Sequence, residues 1–215
     1  MKFRFALVAA ALAVSGLAHS ATIDWNTWTS NSTGTIAATP VTVTFTGENG
    51  SGWSASYPSW TPTGTWADGT LVANGPSGSN GIVRLTGGGT TIDTITFSQA
   101  VVNPVISIWS LGQGGDTSSF NFIGATPVLV SGGGSAEYGG SGISVVGNNV
   151  YGTEGNGTVE FVGTYTSLSW TNPTFEDWYG FNVGITAAAV PEPGSMGLML
   201  GGLTLLGLAF RRKAR

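Results

Sequence analysis

Cysteine is absent from this 215-residue chain, histidine occurs once and lysine twice. Only 8% of the residues are charged. Each scarcity removes a class of function. Without cysteine there is no disulfide framework, so a fold must be held by burial and backbone pairing. The one histidine, His19, sits in an N-terminal segment that reads as a cleaved leader. The remaining chain therefore has no Ser-His-Asp or Cys-His catalytic set and no zinc site of the ordinary kind. The two lysines, Lys2 and Lys213, lie at the chain ends, and no glycine run is followed by Lys-Ser/Thr, so no phosphate-binding loop is present. Nucleic acid is excluded as a partner because too few cations exist to replace phosphate counterions.

What is there begins at the two ends. Lys2 and Arg4 precede an apolar run from Phe5 to Leu17, and Ala18-His19-Ser20 places small residues where a signal peptidase reads. Residues 1–20 are expected to be a signal peptide cut before Ala21, with the bond before Thr22 as the alternative. At the other end, residues 187–194 form an Ala/Pro linker, and 195–210 are 16 residues without a charge. As a helix that run spans ~24 Å, a little under the ~30 Å hydrocarbon core of a bilayer. Arg211, Arg212, Lys213 and Arg215 follow it. Such a cation cluster would be costly in a protein core and is ordinary on the cytoplasmic side of a membrane. The expectation is a single transmembrane helix at 195–210 with a basic cytoplasmic tail at 211–215. Between the ends, Arg84 is the one cation against ten carboxylates, a formal charge of −9.

Pro191-Glu192-Pro193, then an apolar run, then an arginine-rich terminus resembles the PEP-CTERM sorting domain. The resemblance covers the last 26 or so residues. It implies export by a bacterium with a Gram-negative envelope and processing by a membrane-embedded exosortase, with signal peptidase acting at the other end. It also implies an association with exopolysaccharide and biofilm or floc formation. Physically, the two prolines hold the backbone extended around Glu192 and remove amide donors, which presents that residue near the membrane face.

Residues 21–186 read as an all-β ectodomain. Val41, Val43 and Phe45 alternate with Thr42, Thr44 and Thr46; Ile95 and Phe97 share a face opposite Ile92; Leu168 and Trp170 point one way. Tyr179, Phe181, Val183 and Ile185 alternate with Gly180, Asn182 and Gly184. Period two marks half-buried strands. Val105 to Trp109 is apolar on both faces, the pattern of a central strand. Glycine-rich turns such as 47–50, 87–89, 112–116, 132–134 and 147–149 separate the runs, and no helical stripe is found from 22 to 190. Ten to twelve short strands predict an antiparallel β-sandwich of jelly-roll type. An up-and-down barrel is the alternative.

Candidate sites are few. Trp53, Tyr57, Trp60 and Trp66 crowd a Pro/Gly/Ser-rich stretch. On exposed loops their flat faces suit sugar rings; the plainer reading is that they cover a sandwich edge. Glu176 and Asp177 form an acid/base pair for glycoside hydrolysis only if both flank one bond, and neighbouring residues on a strand point apart. No cofactor is expected apart from calcium, a hard cation that takes oxygen ligands, for which Asp68, Asp116, Glu137 and Glu154 are the first candidates near turns. Arg84 is expected to pair with a carboxylate. A regular threonine array, of the sort an ice-binding surface needs, is not evident along the chain. The leading expectation is a non-enzymatic envelope or matrix protein. The alternatives are a carbohydrate-binding module and, third, a jelly-roll glycosidase or lyase.

Overall fold

The computed structural model describes residues 22–48, 52–54, 64–135 and 139–187. The expected signal peptide and transmembrane helix lie outside them. Among the described residues every regular element is a strand, apart from one turn of 3-10 helix at Gly78–Asn80. The strands are β1 (Ile23–Trp25), β2 (Thr27–Trp28), β3 (Thr33–Ile36), β4 (Val41–Thr46), β5 (Gly52–Ser54) and β6 (Ile82–Leu85). They continue as β7 (Asp93–Val102), β8 (Val105–Leu111), β9 (Ser118–Ile123), β10 (Val128–Gly132) and β11 (Ser141–Gly142). The last five are β12 (Ser144–Val146), β13 (Asn149–Gly152), β14 (Gly155–Glu160), β15 (Thr164–Thr171) and β16 (Tyr179–Thr186). The four alternating runs and the doubly apolar one all correspond to strands, although Ile92 lies one residue before β7. Most of the other strands are pieces of two to four residues, too short to show a period; β9, β10 and β14 have five or six.

Two antiparallel sheets result. One runs β10-β14-β8-β16-β6-β5, with β1 beside the end of β16; the other runs β12-β13-β9-β15-β7-β4-β3-β2. Only the two-residue β11 pairs in parallel. From β6 onward the long strands alternate between sheets, giving β6-β16-β8-β14 in one and β7-β15-β9-β13 in the other. This is the strand order of two interlocked Greek keys.

The inward-facing residues of both sheets meet in one core. Trp170 and Phe45 from one sheet pack on Phe181 of the other, at 5.3 Å in each case and edge-to-face, while Phe120 meets Tyr179 at 5.4 Å. Such pairs add roughly 0.5–1.5 kcal/mol each beyond the area they bury.

The first sheet is covered on its outer side as well. All seven residues of β8 are buried, as its doubly apolar sequence predicts. The segment 64–81 crosses that outer face. Trp66 stacks on Trp109 at 5.3 Å and donates its indole N–H to the Ile108 carbonyl at 2.9 Å. Ala67 and Val72 join Ile23, Trp25 and Val105 in a second small core. Gly184 leaves room for this layer, since a Cβ there would lie 2.4 Å from Ile23.

The outer face of the second sheet stays open. Its register sets Thr33, Thr44, Thr96 and Ser167 in one cross-strand row. Thr46, Thr94 and Ser169 form another, and Thr27, Thr35 and Thr42 lead to Ser98 in a third, where the Ser98 hydroxyl accepts the Thr42 N–H. Eleven hydroxyl side chains and no charge thus share one face. The threonine array that no single stretch displays is assembled by pairing, which corrects the expectation drawn from the chain.

Candidate functional site

Six of the nine described carboxylates gather at one end of the sandwich, where β4, β6 and β8 end and β7, β9 and β16 begin: Glu48, Asp93, Asp116, Glu154, Glu176 and Asp177. Glu48 lies two positions past the end of β4. One of its oxygens accepts the Thr86 N–H and hydroxyl, each at 2.6 Å, and the other accepts the Gly87 N–H at 2.9 Å. Its own N–H donates to Asp93 Oδ1 at 2.6 Å. Asp93 continues the inward face of β7, so it is buried at the rim of the core. Burial pushes its pKa up to about 6, with the Glu48 charge adding to the effect and the Glu48 N–H opposing it.

Glu176 is 1% exposed. It accepts the Gly112 N–H at 2.9 Å, and the Ser118 hydroxyl reaches the same carboxyl. Burial, helped by the charges of Glu154 and Asp177, raises its pKa to about 8, against the pull of those two hydrogen bonds. At neutral pH the group therefore holds its proton. Asp177, next in sequence, is exposed. The two side chains diverge and do not flank a common bond, as neighbouring positions dictate.

Tyr179 closes the floor of this end. Its hydroxyl is buried and has no hydrogen-bond partner among the described residues. Burial raises its pKa, and the charges of Glu48, Asp93 and Glu176 push the same way. A pocket of about 70 Å³ lies above, bounded by Glu48, Gly87, Gly89, Thr91 and Asn172.

Backbone strain concentrates here too. Ser110 and Glu154 have φ of 52° and 53°, the left-handed region that side-chain-bearing residues seldom adopt. The Ser110 hydroxyl donates to Glu154 Oε2 at 2.7 Å. The register between β8 and β14 shifts between Gly155 and Gly157, so a bulge places both residues.

The remaining candidates scatter. Asp68 is on the outer layer, where it accepts the N–H groups of Thr70, Leu71 and Val72 and the Thr70 hydroxyl. Burial works against its charge, but these bonds hold its pKa below the usual carboxylate range. Asp116 closes a turn with Gln113. Among the described residues no three His, Cys, Asp or Glu groups are placed to share a metal ion; Glu137 lies outside them. Trp66 is fully buried, so its ring offers no face to a sugar, which corrects the expectation of an exposed platform at that position. It is buried because its indole fills the space over Trp109. Trp53 contributes backbone pairing to Val83, while Tyr57 and Trp60 lie outside the described residues. Arg84 lies over the Trp178 ring, 4.8 Å from its centroid.

Glu48, Asp93 and Tyr179 escaped the sequence reading. Glu48 looked like part of a Gly-Glu-Asn-Gly turn, and only its position two residues past an alternating strand hinted at more.

The sorting triplet Pro191, Glu192 and Pro193 and the basic cluster Arg211, Arg212, Lys213 and Arg215 lie outside the described residues. A family model, the PEP-CTERM protein-sorting motif, matches residues 189–213. The chain thus carries a signal that implies export and membrane-associated processing by an exosortase-type enzyme. No curated protein and no solved structure matches the chain.

Proposed function

We propose that this protein, exported and sorted through its PEP-CTERM motif, is a non-enzymatic component of the cell envelope or extracellular matrix. The motif at residues 189–213 is the observation that carries the reading. Signal peptidase removes residues 1–20, and residues 195–210 anchor the chain until the exosortase acts. The β domain is then held at the envelope or released among exopolysaccharide.

Two features support the non-enzymatic part. Glu176, one of two strongly buried acids at the carboxylate end, is shielded from any substrate and tied to Gly112 and Ser118. Its neighbour Asp177 turns away to solvent. The uncharged hydroxyl face of the second sheet supports the matrix part. Threonine and serine hydroxyls both donate and accept hydrogen bonds, so the face suits a hydrated neutral polysaccharide and needs no cations. The ends of the domain also fit the expected cleavage. The Thr22 carbonyl accepts the Ala187 N–H at 2.8 Å, so a cut before Ala21 or Thr22 leaves every described pairing intact.

The test is the intact mass of the protein from membrane and medium fractions of its native host. A species from near Ala21 to near Pro191, without the arginine cluster, is expected. A species that keeps Arg211 to Arg215 and stays wholly in the inner membrane would make the tail a plain anchor and remove the matrix assignment.

A further inference from the structure

The end opposite the carboxylates is where both termini leave. β16 starts beside Glu176 and finishes at Thr186, and β1 pairs with that finish, Ile23 with Thr186 and Trp25 with Gly184. The last strand and the first therefore close the domain at one place. The end of β7 joins them, because a cavity of about 410 Å³ is bounded together by Thr39, Gln99, Val102, Ile185 and Ala187.

Loops at this end include Ala37 to Pro40, Val102 to Val105, and Phe161 to Thr164. None of these three contains Asp, Glu, Lys or Arg. Val102 is 61% exposed and Val162 62%. These tips are held firmly. Asn103 and Gly163 exchange hydrogen bonds, Asn103 N–H to the Gly163 carbonyl and Gly163 N–H to Asn103 Oδ1, both at 2.8 Å. The Phe161 N–H adds a bond to the Pro104 carbonyl at 2.9 Å. Asn103 has a φ of 47°, a conformation that asparagine tolerates better than most residues. The nearest carboxylates are half-buried: Asp24 within β1, Glu160 within β14, and Asp68, whose charge reaches Glu160, on the outer layer.

We propose that this end of the domain is a membrane-contact surface, with the Val102 and Val162 loops resting in the headgroup region of a phospholipid bilayer while the tail tethers the chain. The proposal rests on reading residues 195–210 as an anchor. The tether is short: Ser195 is eight positions after Ala187, at most about 28 Å when fully extended. A domain so tethered meets the bilayer with the end from which the tether leaves. There the exposed side chains are apolar or neutral and suit an interface. Six of the nine described carboxylates, which anionic lipids repel, are at the far end. With no cation at the contact, the surface needs no anionic lipid and works on neutral headgroups. It would also hold Pro191 to Pro193 close to the membrane face while the domain remains folded, since four residues from Ala187 reach at most about 14 Å.

The absence of cysteine makes the test clean. The chain from Ala21 to Arg215 would be prepared as Val102→Cys, Val162→Cys and Phe175→Cys, the last at the carboxylate end and 63% exposed. Each is labelled with an environment-sensitive fluorophore and reconstituted into phosphatidylcholine vesicles containing nitroxide lipid. Labels at 102 and 162 are expected to be quenched several-fold more strongly than the label at 175. Retention of the chain after an alkaline wash is measured in parallel. A retained chain whose three labels are quenched equally weakly overturns the contact surface and leaves the anchor standing. A chain lost in the wash overturns the anchor and the contact surface with it. Two independent positions guard against one label disturbing its loop.

Discussion

The two ends of this sandwich are built from the same strands and differ in almost everything else. At one end six carboxylates sit among left-handed backbone and glycine-tight turns, with Asp93 and Glu176 buried. At the other, uncharged loops, two exposed valines and the first and last described strands come together. The carboxylate end holds the two fully buried acids, Asp93 and Glu176; at the terminal end the acids are half-buried, and burial with the nearby Asp68 charge raises the Glu160 pKa. Changes at the first should therefore alter folding, and changes at the second should alter where the domain sits.

The sharpest contrast comes from Gly112. Its φ is 82°, and a Cβ there would lie 2.3 Å from the Gly152 carbonyl oxygen and 2.8 Å from that of Asp116. Gly112→Val is expected to cost about 3–5 kcal/mol, combining left-handed strain with overpacking. Urea unfolding followed by tryptophan fluorescence measures it. A cost below 1 kcal/mol would mean the carboxylate end is not rigid.

Glu48→Ala comes next. It strands the Thr86 and Gly87 N–H groups, and about 2–4 kcal/mol of stability should be lost. The same change removes a neighbouring charge from Asp93, whose pKa should then fall from about 6 toward its ordinary value. Carboxyl NMR titration reads this directly.

The third prediction concerns pH. The folded-state pKa of Glu176 is about 8 against 4.5 when unfolded. The folded protein thus binds the extra proton between those values, and its stability is full below pH 4.5 and declines as pH rises toward 8. Asp93 adds a smaller decline between pH 3.8 and about 6. Glu176→Gln should flatten the upper part of the curve and stabilise the protein at pH 8 by on the order of 2–3 kcal/mol. Thermal melts at pH 4 and pH 8 test the sign; an unchanged difference between them would contradict the assignment of the slope to Glu176.

The smallest effect belongs to the terminal end. Val102→Asp places a charge on an exposed tip and should change stability by no more than about 0.5 kcal/mol, yet it should weaken vesicle contact. If it destabilised the domain as much as Glu48→Ala, the division between the two ends would fail.

How much of this was legible in the chain depends on the range of the interaction. The alternation of Val41 to Thr46 and of Tyr179 to Ile185 shows in the sequence because one face of each strand is buried and the other is not. Val105 to Trp109 reveals its central place for the converse reason. Trp66 left two readings open, because its Pro/Gly-rich setting suits an exposed loop as well as an edge cover, and the Trp109 ring that buries its indole is 43 positions away. The carboxylate end was half seen. Glu176 stood out beside Asp177, but the clamp on Glu48 joins residues 38 and 39 positions apart, and nothing local announces it.

The sequence by itself determined the β character, the charge segregation and the sorting motif at 189–213. Those properties reside in composition, in a two-residue period and in contiguous motifs, all of which act over neighbouring residues. Tertiary structure decided which carboxylates share an end, which tryptophan is buried and how eleven hydroxyls come to line one face. Each of these depends on strand register, and register follows from packing two sheets around one core.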